Sequence, residues 1–319
     1  MNQGNKTAWL ALLALCIIWG TTFLAARVGV KAFPPLLFMG TRHMTAGLLL
    51  LIWGSIRRRG APTGIEFKQQ LLPAIMLVAL GNGIVAMAVK HIPSGLAALL
   101  CAMMPVYVTV ISLFKKNREP LNAKIVMGLL LGMGGLMVIF KDNLAAIANP
   151  QYLGGIAICL VSCLFFAMGS VYTKGRVTTT DVFIKVGLQL FMGGIVLLLG
   201  SAVVEKWSDV HRVPAATVCA ILYLIFFGSI LAFLCFDHVL SHLPVGLATI
   251  YAYVNPLVAI VLGFVVLREP VTAYTLLAFS LTITGIFLIN AGHRRKDKPA
   301  KRRFSNITFR INSLLRISD

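Results

Sequence analysis

Long apolar runs alternate with short polar loops along most of the chain, and this pattern predicts the fold. A helix needs about 20 apolar residues to cross a hydrocarbon core of roughly 30 Å. Measured against that length, the sequence predicts ten transmembrane helices, over residues 7–28, 36–56, 70–89, 93–114, 122–140, 152–172, 182–203, 215–235, 244–266 and 272–291. Because backbone polar groups in lipid must be paired within each helix, we expect an all-α integral membrane protein.

One stretch of this pattern occurs twice, since residues 93–140 share their plan with residues 244–290. Landmark residues recur at an almost constant spacing: Pro93 with Pro244, Gly95 with Gly246, Ala97 with Ala248, Pro105 with Pro256, Glu119 with Glu269, Pro120 with Pro270 and Gly135 with Gly285. A long internal repeat indicates that the fold consists of two similar units. It predicts a first repeat over residues 1–141, a second over 142–292, and a separate tail over 293–319.

Each repeat holds five predicted helices, which is an odd number, so the two must enter the membrane in opposite directions. Inverted repeats of this kind are typical of secondary transporters, whose substrate site lies near the midplane between the repeats. Small residues at matching positions predict close contacts between helices. The matching positions are Gly20 with Gly169, Gly40 with Gly187, and Gly47 with Gly194, and the fifth helix adds Gly128, Gly132 and Gly135.

Composition and charge agree with a lipid environment. Hydrophobic residues make up 58% of the chain and charged residues 12%, both far from the averages of soluble domains. The net charge of +19 does not indicate a nucleic-acid partner, because the Lys and Arg residues lie in short loops and in the tail. They are more numerous on the side that places both termini in the cytoplasm, which is the expected bias. The N-terminal run has no small-residue cleavage site, so we expect a retained helix.

The acidic residues argue against an enzyme. All ten Asp and Glu residues fall in predicted loops, at helix ends or in the tail. An acid at the bilayer centre would be functional by default, and none is predicted there. The motifs of P-loop ATPases, zinc proteases and serine hydrolases are also absent from the sequence. We therefore expect no enzymatic activity, no cofactor and no ion coupling through a midplane carboxylate.

Arg42 is the strongest cation within a predicted helix, at a depth of about six residues, or roughly 9 Å. It would either extend to the outer headgroups or bind a substrate carboxylate. Both interpretations stay open. The matching region of the second repeat offers Gln189, which is polar but neutral.

The ninth predicted helix carries the richest set of polar residues, Thr249, Tyr251, Tyr253 and Asn255, directly before Pro256. Tyr251 and Asn255 are four residues apart and share a helical face, and Pro256 frees a backbone carbonyl where it bends the helix. The matching positions of the fourth helix are apolar. The set therefore indicates either a site for an amphipathic organic solute or hydrogen bonds between helices. Asn82 and Trp19 are further pocket candidates.

Cysteine and histidine residues do not complete a metal site by their spacing. The six cysteines lie in apolar runs, and although Cys159 and Cys163 are one helical turn apart, we expect small packing residues. Asp237, His238 and His242 lack a fourth ligand, and we expect them to be polar residues at the membrane interface. We expect no bound metal.

The tail reads HRRKDKPAKRR and continues with mixed polar and apolar residues. A basic cluster next to a membrane helix attracts anionic lipid headgroups, by about 1 kcal/mol per Lys or Arg. The apolar residues that follow would lie on the membrane surface or remain disordered.

Together these residues resemble the drug/metabolite transporter superfamily, and within it the EamA-type exporters with ten helices in two five-helix repeats. The resemblance covers roughly residues 7–291 and rests on Trp19-Gly20-Thr21, Pro34-Pro35 before Arg42, Ala97 to Pro105, Glu119 with the Gly-rich fifth helix, and their partners in the second repeat. It implies a central cavity that alternates its access across the membrane. It also implies cavity residues and hinges, which we assign to Trp19, Arg42, Asn82, Gln189, Tyr251, Tyr253 and Asn255, with hinges at Pro105 and Pro256.

The resulting hypothesis is a secondary transporter that exports amino acids or related small metabolites across a bacterial cytoplasmic membrane. Its partners would be a small-molecule solute and, through the tail, anionic lipid. A carrier of nucleotide sugars, sugar phosphates or drugs is the alternative within the same fold. The cavity lysine typical of sugar-phosphate relatives is missing, because Lys185 lies near a helix end. A membrane protein that does not transport is the remaining alternative.

Overall fold

The computed structural model describes residues 3–30, 32–58, 61–92, 94–114, 121–139, 141, 149–176, 179–207, 210, 213–267 and 273–294. All regular secondary structure within these residues is helical, which confirms the all-α prediction. The basic residues of the tail from 295 onward, and the loop glutamates Glu119 and Glu269, lie outside the described residues.

The helices follow the predicted apolar runs closely. Their bounds are α1 (Gln3–Gly29), α2 (Pro35–Arg58), α3 (Gly64–His91), α4 (Ser94–Cys101), α5 (Met104–Leu113), α6 (Ala123–Ile139), α7 (Leu153–Lys174), α8 (Val182–Val204), α9 (Ala215–His242), α10 (Val245–Ala248), α11 (Tyr251–Leu267) and α12 (Ala273–Arg294). In the part of the chain that the structure describes, six segments are long and apolar enough to cross a membrane, and four shorter apolar segments lie in α1, α4–α5, α6 and α10–α11. The protein is therefore a multi-pass membrane protein.

The outward-facing side chains suit contact with lipid. Large apolar residues are exposed along α2 and α8, among them Ile52, Ile56, Leu199 and Val203. In water such a surface would be a liability, but lipid tails solvate it without penalty. Several polar side chains within the helices instead turn inward and find partners there, among them Arg42, Gln70 and Gln189.

Carboxylates bind the unpaired N–H groups at the start of two helices. The side chain of Thr63 accepts a hydrogen bond from the Glu66 nitrogen at 3.3 Å, and Glu66 accepts one from the Thr63 nitrogen at 2.7 Å. This is the reciprocal cap that starts α3. The start of α2 is capped from a distant loop, because Glu205 accepts from Leu36 and Leu37 at 2.8 and 2.9 Å. Glu205 follows α8 directly, so this contact fixes α2 against α8.

Two helix pairs, α2 with α8 and α6 with α12, pack extensively through glycines. A methyl group added at Gly47 would collide with the backbone of Phe191 in α8. A methyl group at Gly128 would lie 2.6 Å from the carbonyl oxygen of Gly285, and the reverse distance is also 2.6 Å. Only glycine permits backbones to approach this closely. The predicted role of small residues at helix contacts is confirmed at these positions.

The middle of α3 and the middle of α9 are wound as wide π-helical turns, over Ala74–Gly83 and Leu224–Leu231. The sequence pattern predicts ordinary helix there. The two segments begin at matching positions, since the spacing from Ala74 to Leu224 equals that from Glu119 to Glu269. Such turns are rare, change the direction of nearby carbonyls, and occur frequently at functional sites.

Trp19 occupies the centre of the helix bundle. Its ring contacts the rings of Phe166, Phe233, Phe236 and Tyr251, with centroids 4.6 to 5.8 Å apart. These rings come from α1, α7, α9 and α11, so one aromatic cluster joins helices from both ends of the sequence. Its indole nitrogen donates a hydrogen bond of 3.3 Å to the carbonyl of Gly228, in the wide turns of α9.

Candidate functional site

A cavity of about 130 Å³ lies beside this aromatic cluster. Its wall is mainly apolar with a few polar groups, which is the usual composition of a small-molecule site. The lining residues come from α1, α2, α3, α4, α5, α7 and α11 and are Trp19, Thr22, Ala26, Val30, Met39, Arg42, Gly81, Asn82, Val85, Ala86, Val89, Cys101, Met104, Ser162, Cys163, Phe166, Tyr251, Ala252, Asn255 and Pro256.

Most of the residues that the sequence singled out meet in this cavity. Trp19, Arg42, Asn82, Tyr251 and Asn255 all line it. They come from the first three helices and from α11, more than 150 residues further on, so the shared location is a property of the fold. Pro256, the expected hinge of α11, lines the cavity as well.

Tyr253 and Gln189 do not lie in the cavity, contrary to the expectation from the sequence. Tyr253 is fully buried between α11 and α6, where its hydroxyl donates to the carbonyl of Leu129 at 3.4 Å. Gln189 faces α3 and donates to the side-chain oxygen of Gln70 at 2.8 Å. Each polar group is thus paired with another helix, as buried polar groups require. Pro105 begins α5 and lies outside the cavity lining.

Arg42 is buried, with 3% of its surface exposed, and its guanidinium is held by neutral groups. Nε donates to the hydroxyl of Ser229 at 2.8 Å and Nη2 donates to the carbonyl of Gly228 at 3.0 Å, while Nη1 contacts the sulfur of Met39 at 3.6 Å. Among the residues that the structure describes, no carboxylate pairs with Arg42. A buried cation without an anionic partner beside a cavity favours an anionic ligand.

His43 extends this polar network and was missed in the sequence analysis. Its ring is fully buried, with Nδ1 3.4 Å from the hydroxyl of Ser229 and Nε2 3.2 Å from the side-chain oxygen of Asn82. A continuous chain therefore links Asn82, His43, Ser229 and Arg42 across α3, α2 and α9. The signal that could have found His43 was present, because it is a histidine inside an apolar run and directly follows Arg42.

Asn255 links α11 to α1 at the bottom of the cavity. In the amide orientation that satisfies both groups, its nitrogen donates to the carbonyls of Tyr251 at 2.9 Å and Cys16 at 3.0 Å. This contact lies one residue before Pro256 and four residues after the start of α11. The ring of Tyr251 packs against Trp19 with centroids 4.6 Å apart, so one wall of the cavity is aromatic.

The cavity extends toward one end of the bundle. It runs from Tyr251 and Phe166 in the interior to Val30 and Val89, near the ends of α1 and α3. At the opposite end, Lys185 near the start of α8 pairs with Asp237 near the end of α9, at 2.6 Å. The ion pair joins α8 to α9 there and lines a second, separate cavity of about 360 Å³.

Asp237 and the two histidines near it lie at this second end of the bundle. Asp237 pairs with Lys185, and the imidazole of His238 lies 3.1 Å from the hydroxyl of Thr7. The rings of His238 and His242 are tilted against each other, with centroids 4.2 Å apart. Within the described part of the chain, these three residues do not converge as a metal-ligating group.

Comparisons with known proteins show the family to which the chain is similar. The model of the EamA-like transporter family matches the chain twice, over residues 6–141 and 153–291. The chain is 32% identical over 286 residues to YedA of Escherichia coli, named as an uncharacterized inner membrane transporter, covering 88% of this chain and 90% of YedA. It is 30% identical to YoaV of Bacillus subtilis, named as an uncharacterized transporter, covering 88% of this chain and 95% of YoaV. A solved crystal structure superposes with a TM-score of 0.76 at 19% identity, over 92% of this chain and 99% of that chain, which shows a shared fold.

Proposed function

Because the chain belongs to the EamA-like transporter family, we propose that it is a secondary transporter that exports amino acids or related small metabolites. The single observation that carries the substrate class is Arg42, a buried guanidinium beside the cavity that lacks a carboxylate partner among the described residues. The carboxylate of an amino acid supplies the missing charge. A bidentate contact of this type is among the strongest hydrogen-bonded pairs in proteins.

The rest of the cavity suits the remainder of such a solute. An ammonium group fits against the faces of Trp19 and Tyr251, since aromatic rings attract cations. The apolar wall accepts a side chain. The cavity of about 130 Å³ is similar in size to the engineered cavity of about 150 Å³ that binds benzene, so it suits a small solute.

The architecture behind this proposal is ten membrane crossings in two inverted repeats. The two matches of the family model support it, as do the matching positions of the wide turns in α3 and α9. The pairs α4–α5 and α10–α11 each form one crossing that is interrupted by a short break. Interrupted helices at matching places of two repeats are a common feature of transporter sites.

Alternating access requires the cavity to close at the end that it now reaches and to open at the other end. The cavity beside Arg42 now extends to the end that carries Val30 and Val89, while the Lys185–Asp237 pair joins α8 to α9 at the other end. In the alternate state this pair separates and the helices around Arg42 close over the solute. Pro105 and Pro256 are the proposed hinges, because each follows a break in its crossing.

The proposed setting is the bacterial cytoplasmic membrane with both termini in the cytoplasm. The relative YedA is named as an inner membrane transporter, and the distribution of Lys and Arg residues supports this orientation. The end with Lys185 and Asp237 then faces the cytoplasm, and the cavity beside Arg42 extends outward. We expect the basic residues of the tail to attract anionic headgroups on the cytoplasmic side.

A carrier for phosphorylated solutes is the second candidate, because a guanidinium binds phosphate as well as carboxylate. Counterflow in proteoliposomes, with radiolabelled amino acids, sugar phosphates and nucleotide sugars, separates the two. We expect amino acids to exchange and phosphorylated solutes to be inert. Exchange of phosphorylated solutes alone would favour the second candidate, and no exchange of any solute would favour a protein that does not transport.

The role of Arg42 is tested by Arg42→Gln, with Arg57→Gln at an exposed position of the same helix as the matched control. A hydrogen bond to a charged group contributes about 1.5–3 kcal/mol. Arg42→Gln should therefore weaken binding of an amino acid at least tenfold, while its uncharged amide analogue binds both proteins equally. Unchanged discrimination between the acid and the amide would contradict the proposed role of Arg42.

A further inference from the structure

Three cysteine sulfurs converge on the wall of the cavity. Cys159 and Cys163 lie one turn apart on α7, and Cys101 at the end of α4 faces them, so that the three sulfur atoms all lie within 4.8 Å of one another. The sulfurs of Cys101 and Cys159 are 3.8 Å apart. We call Cys101, Cys159 and Cys163 the thiol triad.

Part of the thiol triad can be reached from the cavity, and part of it is enclosed by the protein. Cys101 and Cys163 line the cavity, whereas Cys159 lies behind them and is fully buried. Besides the contact between Cys101 and Cys159, the thiol of Cys159 donates to the carbonyl of Ala97 and the thiol of Cys163 donates to the carbonyl of Leu100, each at 3.8 Å. A thiol is a weak donor, so these contacts leave the sulfur lone pairs available.

We propose that the thiol triad is a binding site for a single Cu(I) ion. Soft sulfur ligands select Cu(I) and zinc among the metals of the cell. A metal–sulfur bond of about 2.3 Å places sulfurs in a trigonal site about 4.0 Å apart, close to the observed 3.8 Å. Structural zinc requires four ligands, and no fourth Cys, His, Asp or Glu joins the triad within the described residues. Three-coordinate Cu(I) needs no ligand besides the three cysteines.

Binding of the ion releases protons from the thiol triad, because a metal-bound thiol loses its proton. These protons leave through the cavity that Cys101 and Cys163 line.

The ion would also join the two parts of the chain that the family model matches separately. Cys101 belongs to the segment 6–141, and Cys159 and Cys163 belong to the segment 153–291. A bound ion therefore restrains α4 against α7 at the cavity wall. If the chain transports by alternating access as proposed above, Cu(I) should also slow the exchange of solute, but the site itself does not depend on that proposal.

The test is a titration of the full-length protein in lipid nanodiscs with Cu(I), under anaerobic reducing conditions, against a coloured Cu(I) chelator. We expect one ion per chain. The variant Cys101→Ser/Cys159→Ser/Cys163→Ser should lose this binding, whereas Cys16→Ser/Cys219→Ser/Cys235→Ser, which replaces the other three cysteines, should retain it. Binding that survives in the first variant, or disappears in the second, would overturn the proposal.

Measurements on the unaltered protein guard against a variant that fails to fold. X-ray absorption at the copper edge should show only sulfur neighbours, at about 2.3 Å. The single variant Cys163→Ala should weaken Cu(I) binding more than tenfold, since even groups that only support metal ligands contribute 10- to 100-fold. Nitrogen or oxygen neighbours in the wild-type spectrum, or no copper retained against the chelator, would each reject the site.

Discussion

The ammonium nitrogen of Lys185 lies 2.6 Å from Oδ1 of Asp237, and only 10% and 11% of the two side chains are exposed. The pair joins the first turn of α8 to the last turns of α9, beside a cavity of about 360 Å³. Because so little of each side chain is exposed, each charge depends mainly on the other. Removing one partner leaves the other unpaired, whereas removing both leaves an apolar contact.

We therefore expect Asp237→Asn to lower the free energy of unfolding by about 3–5 kcal/mol. The double variant Lys185→Met/Asp237→Leu should return close to the wild-type value, since apolar side chains of similar volume replace a buried pair with little loss. Thermal unfolding in detergent measures both. A double variant as unstable as Asp237→Asn would show that the charges themselves are needed.

The contact between Gly128 and Gly285 predicts a second effect on stability. Gly128→Ala places a methyl group 2.6 Å from a backbone carbonyl that cannot move aside, and overpacking of this kind costs typically 1–3 kcal/mol. Gly134→Ala is the matched control in the same helix, because a methyl group there meets nothing within 4 Å.

The control should be neutral or stabilising, since alanine favours helix over glycine by about 1 kcal/mol. Both variants replace glycine by alanine in the same helix, so the gain in helix propensity is shared. The difference between their midpoints of thermal unfolding therefore measures the effect of the helix contact. Equal midpoints for the two alanine variants would mean that α6 and α12 do not pack as closely as described.

How much of the site the sequence predicts depends on the type of signal. Trp19, Arg42 and Asn255 were found because polar or amphipathic residues are rare in apolar helices and turn inward. Tyr253 was included for the same reason, yet it lies two residues after Tyr251. Since successive residues are about 100° apart around a helix, the two rings point to nearly opposite sides, and periodicity alone did not say which side faces the cavity.

Other features depend on contacts between distant segments and were not predictable from local patterns. The wide turns of α3 and α9 lie in largely apolar stretches, and the few polar residues there, Asn82 and Ser229, do not mark a change in winding. These turns carry Gly228 and Ser229, which hold Arg42. The approach of Cys101 to Cys159 is likewise set by the packing of α4 on α7, whereas the spacing of Cys159 and Cys163 could be read directly.

Ser229 is expected to position Arg42. In Ser229→Ala the guanidinium loses the acceptor of Nε and His43 loses a neighbour at 3.4 Å. An unsatisfied buried donor costs about 1–3 kcal/mol. We expect weaker binding of amino acids with little change for their amide analogues, measured by isothermal titration in detergent, and rescue by Ser229→Thr, which restores the hydroxyl. An equal loss for acids and amides would point to general unfolding of the site.

Asn255 has a structural role at the bottom of the same cavity. Asn255→Ala removes the hydrogen bond from α11 to the carbonyl of Cys16 and leaves that carbonyl without its side-chain donor. We expect weaker solute uptake in proteoliposomes together with a loss of about 1–3 kcal/mol in stability. Asn255→Asp is the informative companion, because it keeps the size of the side chain and replaces the donor by an acceptor. Normal uptake by both variants would show that Asn255 does not contribute to the site.

The final prediction compares two tyrosines on one helix. Tyr251 lines the cavity, and its hydroxyl has no hydrogen-bond partner among the described residues, whereas Tyr253 faces α6 and donates to Leu129. Tyr251→Phe should therefore weaken solute binding with little change in stability, because only a solute uses that hydroxyl. Tyr253→Phe should lower stability by about 0.5–1.5 kcal/mol and leave binding unchanged. Solute binding and thermal unfolding should be measured for both variants, since each variant is expected to change only one of the two. A loss of binding in Tyr253→Phe alone would place the solute on the opposite face of α11.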